Sequence, residues 1–108
     1  MKDLIVPVDG SPAAWVAFDV ALSLTRRCDA TIRLVKVVFA PADVTPAESR
    51  LDDALARHSP LDVDVTVDVR LGAESVATEL ERLLEINPGS VVVMASHGRG
   101  RSAAIVGS

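Results

Sequence analysis

The chain has 108 residues, 49% of them apolar and 24% charged, which suits one globular domain and excludes disorder as the main state. Fifteen acidic against eleven basic residues leave a net charge of −4, which argues against general attraction to nucleic acid or an anionic membrane. A single cysteine, Cys28, excludes an internal disulfide, and no Cys/His cluster has metal-ligand spacing. Leu4–Val8 is too short for the apolar core of a signal peptide, and no apolar run approaches the ~18 residues of a membrane span. A cytoplasmic protein is therefore expected. Aromatic residues are 3% of the chain, with no Tyr, so base-stacking platforms are scarce.

Segments of two kinds alternate along the chain. Leu4-Ile5-Val6-Pro7-Val8 is a short, nearly continuous apolar run, as in a strand buried on both faces. Asp9-Gly10-Ser11-Pro12 breaks it and starts a helix, with Ser11 suited to the N-cap and Pro12 to the first helical position. Ala14, Ala17, Phe18, Ala21, Leu22, Thr25 and Cys28 then recur at helical spacing, which predicts a core face that Cys28 shares. Trp15 falls off that face and reads as exposed or as a contact surface. Thr31–Val38 reads as the second strand, Phe39–Pro46 as a loop, and Pro46–His58 as a weakly amphipathic helix with His58 at the surface.

Val63–Leu71 alternates strictly between apolar and polar residues, the period of a half-exposed strand at a sheet edge. Ala73–Ile86 reads as a third helix, stopped by Asn87-Pro88-Gly89. Ser90–Ala95, apolar from Val91 on, reads as a central strand. Ser96–Ser108 reads as a glycine-containing loop with one short apolar patch, Ala103–Val106. The order βαβαβαβ specifies an α/β domain with an open parallel sheet and helices on its faces. An all-apolar last strand cannot form an open edge without inviting aggregation. Residues 1–108 are therefore read as one C-terminally incomplete domain, whose final helix and fifth strand are missing or supplied by a partner.

Two loops follow apolar strands, Asp9-Gly10-Ser11 and the segment from Ala95 to Ser108. Ligands of open parallel sheets bind at the C-terminal strand ends where the strand order reverses. If the first and fourth strands are neighbours, both loops line that crevice. Glycines there let backbone N–H groups approach an anion, Arg99 and Arg101 add positive charge, and Ser108 adds a hydroxyl. The same glycines serve equally as turn punctuation.

Leu4–Ser11, "LIVPVDGS", resembles the start of universal stress protein domains, and "VVVMASHGRGRSAAIVGS" resembles their phosphate-loop segment. The resemblance runs the length of the chain and includes "VRLGAESVATEL". It implies a Rossmann-like sheet of the adenine-nucleotide α-hydrolase type, with strand order 3-2-1-4-5. It also implies that the chain binds ATP or AMP, with Mg2+ accompanying a triphosphate. The family's phosphate motif falls on Ala95, Gly98, Gly107 and Ser108. Ala95 stands where ATP-binding members have glycine, and eight residues rather than nine separate Gly98 from Gly107. His97 and Arg99 lie within that loop.

By the same resemblance Asp9 sits near the ribose or a phosphate-held metal, although a carboxylate beside a helix N-terminus also serves as a cap. Pro7 and Val8 line the same strand end. Val37 matches a residue that packs on adenine, and Met94 is a neighbouring contact. For both, core packing alone also explains the residue type.

Three functions follow. The first is a nucleotide-binding regulatory module of the stress response, with at most slow ATP hydrolysis and a homodimeric assembly. The second is a homodimeric interaction module of the same fold without nucleotide, favoured by Ala95 and the shorter loop. The third, an adenylate-forming enzyme, is disfavoured because Val8-Asp9-Gly10-Ser11 is too short for the loop such enzymes carry.

Overall fold

A computed structural model describes residues 2–58, 63–96 and 102–107, with side chains over 2–58 and 63–94. In chain order the elements are β1 (Lys2–Pro7), α1 (Pro12–Thr25), β2 (Ala30–Val38), α2 (Val44–His58), β3 (Val65–Leu71), α3 (Val76–Ile86), β4 (Val91–Ser96) and β5 (Ser102–Gly107). They form one sheet of order β3-β2-β1-β4-β5. The β3, β2, β1 and β4 strands are mutually parallel. No helix among the described residues is long and apolar enough to cross a membrane.

Side-chain alternation in the strands sends the core to two faces. Leu4, Val6 and Val8 of β1, with Ile32 and Leu34 of β2 and Val93 of β4, pack against Ala14, Ala17, Phe18 and Ala21 of α1 and Leu51 of α2. Ile5, Val35, Val37 and Val92 point the other way and pack against Leu80 and Leu83 of α3. Strands buried on both faces account for the continuous apolar runs in β1 and β4.

The edge position of β3 agrees with its strict alternation. Its Val65, Val67 and Val69 lean on the α1/α2 core. Its polar side is less exposed than period two alone implies. Asp68 accepts hydrogen bonds from both Arg33 and Arg70, and Arg33 reaches on to Asp3. Arg70 also pairs with Glu79 of α3 at 3.8 Å, and Glu79 pairs with Arg82 at 2.9 Å.

Four local expectations are corrected. A 3-10 turn over Pro41–Asp43 leads straight into α2, which starts at Val44 rather than Pro46. The start of α3 is Val76, because Ser75 is its N-cap and its hydroxyl accepts from the Thr78 amide at 3.1 Å. Cys28 is exposed: α1 ends at Thr25, so the helical period no longer carries Cys28 to the core, and its Sγ–H donates to the Leu24 carbonyl. The largest correction concerns the end of the chain. Residues 102–107, expected as loop, form β5, antiparallel to β4 from Ser96↔Ser102 to Val91↔Gly107. The fifth position of the sheet is thus filled, and by an antiparallel strand rather than the parallel one that the resemblance implies. The physical drive is the one already identified: β4 is too apolar to leave its edge unpaired, and Ala103–Val106 is the next segment able to cover it.

Candidate functional site

The site begins with a proline. Pro7 lies in a strand with neighbours on both sides, where its missing N–H removes a ladder bond. On the β2 side nothing is lost, since pairing runs to Pro7↔Val35 and the Val8 N–H still donates to the Val35 carbonyl at 2.8 Å. On the β4 side the pairing comprises only Leu4↔Val91 and Ile5↔Val92. Beyond Ile5 the two strands part.

The parting opens a cleft of about 230 Å³ at the C-terminal end of the sheet. It lies where the strand order reverses, between β1, whose chain continues to β2, and β4, reached from β3 across the other face. Val35, Val37, Val8, Leu80 and Met94 supply apolar walls. Met94 is 37% exposed there, a large apolar side chain facing open space. Val76, the first residue of α3, completes the rim and is 43% exposed.

The polar groups are Lys36 of β2 and, from the β1–α1 turn, Asp9 and Ser11. Asp9 is exposed, and its Oδ1 accepts from the Ser11 amide at 2.9 Å, which closes a tight turn. Gly10 sits at φ +87°, a left-handed conformation that a side chain would strain. Ser11 is the N-cap of α1 by backbone geometry, yet its side chain makes no capping bond. Its Oγ is buried and has no hydrogen-bond partner among the described residues. An orphaned hydroxyl of this kind is costly to bury and fits a group that arrives from outside.

A second close approach shapes the floor. A Cβ on Gly72 would stand 2.8 Å from Val37 Cγ1 and 3.1 Å from the Phe39 ring. The absence of a side chain at Gly72, just after β3, leaves Val37 its place in the cleft.

Pro7, Val8, Asp9, Val37 and Met94 all line this cleft. Ala95 is in β4, paired with Ala103. His97, Gly98, Arg99 and Ser108 lie outside the described residues. Gly107 is not brought to the cleft. It pairs with Val91 at the start of β4, about 16 Å of strand from Ser96 at ~3.3 Å per residue. Sequence reasoning placed Ser11 at the crevice with its loop, and passed over Ala13, Ala14, Val35, Lys36, Val76 and Leu80 as lining residues. The signal for Ser11 was present, because a residue that caps the helix after the first strand must lie at the crevice mouth. Among the described residues no group of three or more His, Cys, Asp or Glu could hold a metal ion.

No curated protein shows significant similarity to the chain. A crystal structure of a protein from the universal stress protein family from Burkholderia pseudomallei is similar, at 31% identity and a TM-score of 0.70, over 88% of this chain and 81% of that one. The family model described as "Universal stress protein family" matches residues 1–108. With the sheet order, the cleft and these two likenesses together, the chain belongs to the universal stress protein family.

Proposed function

We propose that this domain binds ATP or a related adenine nucleotide in the cleft between β1 and β4, and acts as a regulatory module of the stress response. The observation that carries the reading is the parting of those strands at Pro7, which creates an apolar slot beside a helix N-terminus at the switch point of the sheet. The residues fit the base and sugar of such a ligand. Val37, Met94 and Leu80 form a slot for a flat ring, the unpartnered Ser11 hydroxyl awaits a polar partner, and the Asp9 carboxylate stands at the mouth for a sugar hydroxyl or a phosphate-held Mg2+. The volume is below the ~300 Å³ at which pockets for drug-sized ligands begin, so the phosphates extend out of the slot. In this reading His97, Gly98 and Arg99, which follow β4 in the chain, meet those phosphates.

The test is calorimetric titration with ATP and Mg2+ on the parent chain and on Val37→Phe and Gly98→Val. Binding by the parent chain, weakened at least tenfold by Val37→Phe, supports the slot. Unchanged affinity in Gly98→Val removes the loop from the proposal.

One observation favours a second reading. Gly107 pairs with Val91 at the start of β4, away from the cleft. On this reading the domain is a homodimeric interaction module, and β5 is the outer strand through which copies meet. Sedimentation with and without ATP separates the two readings: a dimer indifferent to nucleotide favours the second.

A further inference from the structure

The β1–α1 turn has a second cleft on its other side. It measures about 360 Å³, within the range of small-molecule pockets, and is larger than the one between β1 and β4. Val8 and Gly10 of the turn, Trp15 of α1, and Arg50, Leu51 and Arg57 of α2 line it, with Asp53 and Ala54 between the arginines.

Its chemistry differs from that of the rest of the molecule. The chain carries a net charge of −4, yet two arginines and one aspartate give this cleft +1. Arg50 and Arg57 are seven residues apart, two turns on one stripe of α2 and about 10 Å along its axis at ~1.5 Å per residue. Arg33, Arg70 and Arg82 each hold a carboxylate, whereas Arg50 and Arg57 are exposed. Arg50 and Arg57 make no ion pair among the described residues, and Asp53, three residues from one and four from the other, pairs with neither. Two exposed guanidinium groups on one stripe, without an ion pair among the described residues and at the rim of an open cleft with an apolar wall, form an anion-recognition arrangement.

The wall opposite them is apolar and fixed. Trp15 meets Phe18 edge to face, with centroids 5.4 Å apart and planes at 79°. Its ring is also stacked on His58, at 4.3 Å and 6°. The helix face that was read as a possible contact surface is thus half-buried and clamped between α1 and α2. Such a wall costs little entropy when a ligand settles against it.

We propose that this cleft is a second binding site, distinct from the nucleotide slot, for a small organic anion. Its phosphate or carboxylate engages Arg50 and Arg57, and its apolar body lies against Trp15, Leu51 and Ala54. The proposal stands whether or not the slot between β1 and β4 takes a nucleotide, since only Val8 lines both clefts.

Phenyl phosphate is a suitable probe, and Trp15, the single tryptophan of the chain, is the reporter. Titration is expected to change Trp15 emission saturably and to move the amide resonances of residues 50–57. The Arg50→Gln/Arg57→Gln double variant, which leaves both core clusters untouched, is expected to weaken binding at least about tenfold. Its thermal melt serves as the check that it is folded. Phenol, which lacks the anion, and inorganic phosphate, which lacks the apolar body, are each expected to bind more weakly than phenyl phosphate. Saturation unchanged in the double variant, or resonance shifts centred on residues 35–37 instead, overturns the site. Inorganic phosphate binding as tightly as phenyl phosphate overturns the role given to the Trp15 wall.

Discussion

Two clefts flank one turn, and they differ in almost every respect. The cleft between β1 and β4 is a largely apolar slot whose polar groups are Asp9, Ser11 and Lys36. The cleft between α1 and α2 has its charges along one helix stripe and a tryptophan opposite. Their shared boundary is Val8 and the turn that follows it. Helices cross both faces of the sheet, so alternation along β1 decides which wall each residue joins. The slot exists because a strand lacks one N–H at Pro7. The basic cleft is lined by Trp15 of α1 and by Arg50, Leu51, Asp53, Ala54 and Arg57 of α2. A backbone defect makes the first site, and side-chain choice on a helix makes the second.

The comparison breaks most severely when either supporting core is emptied. Phe18 is fully buried and holds Trp15 edge-on. Phe18→Ala should cost about 3–5 kcal/mol in urea unfolding and shift Trp15 emission to longer wavelength. Leu83, also fully buried, supports the opposite face. Leu83→Ala should cost about 2–5 kcal/mol with Trp15 emission of the native state unchanged, because the two cores are separated by the sheet.

Gly72→Ala comes next. The added methyl would press Val37 from 2.8 Å, so a loss of about 1–3 kcal/mol is expected, together with changed amide resonances in the slot and none at residues 50–57. Gly10→Ala meets no atom within 4 Å, and its cost is conformational, about 1–2 kcal/mol for a left-handed residue. Since Gly10 belongs to the shared turn, resonances on both sides should move. Cys28→Ser is the smallest change. The thiol is exposed and remote from both clefts, so unfolding free energy should stay within about 0.5 kcal/mol. A larger loss would show that the helical face of α1 extends beyond Thr25 after all.

Much of this architecture was legible in the residues. Continuous apolar runs marked β1 and β4 as central, strict alternation marked β3 as an edge, and Ser11-Pro12 marked the start of α1. Pro7 and Val8 were expected to line a strand end, and both line the slot. What remained hidden depended on pairing at a distance. Ser102–Gly107 read as loop because Ala103–Val106 is too short an apolar run to declare a strand alone, and an unsatisfied β4 edge supplies the reason to extend. The two apolar runs are separated by seven residues, Ser96–Ser102, which include Gly98 and Gly100 but exceed the short spacing that marks a hairpin. Cys28 was misplaced because a helical period can be counted past the end of its helix. The basic cleft was invisible because Trp15 and Arg50–Arg57 lie on different helices, and no spacing within either one brings them together.

The central claim is that the slot at Pro7, Val37 and Met94 holds an adenine nucleotide. The direct measurement is to denature the purified protein and identify what is released by chromatography and mass spectrometry, followed by titration of the emptied protein with ATP. The account predicts ATP or AMP in stoichiometric amount, or binding on addition with resonance shifts at Val8, Val37 and Met94. No released nucleotide and no heat of binding would contradict it.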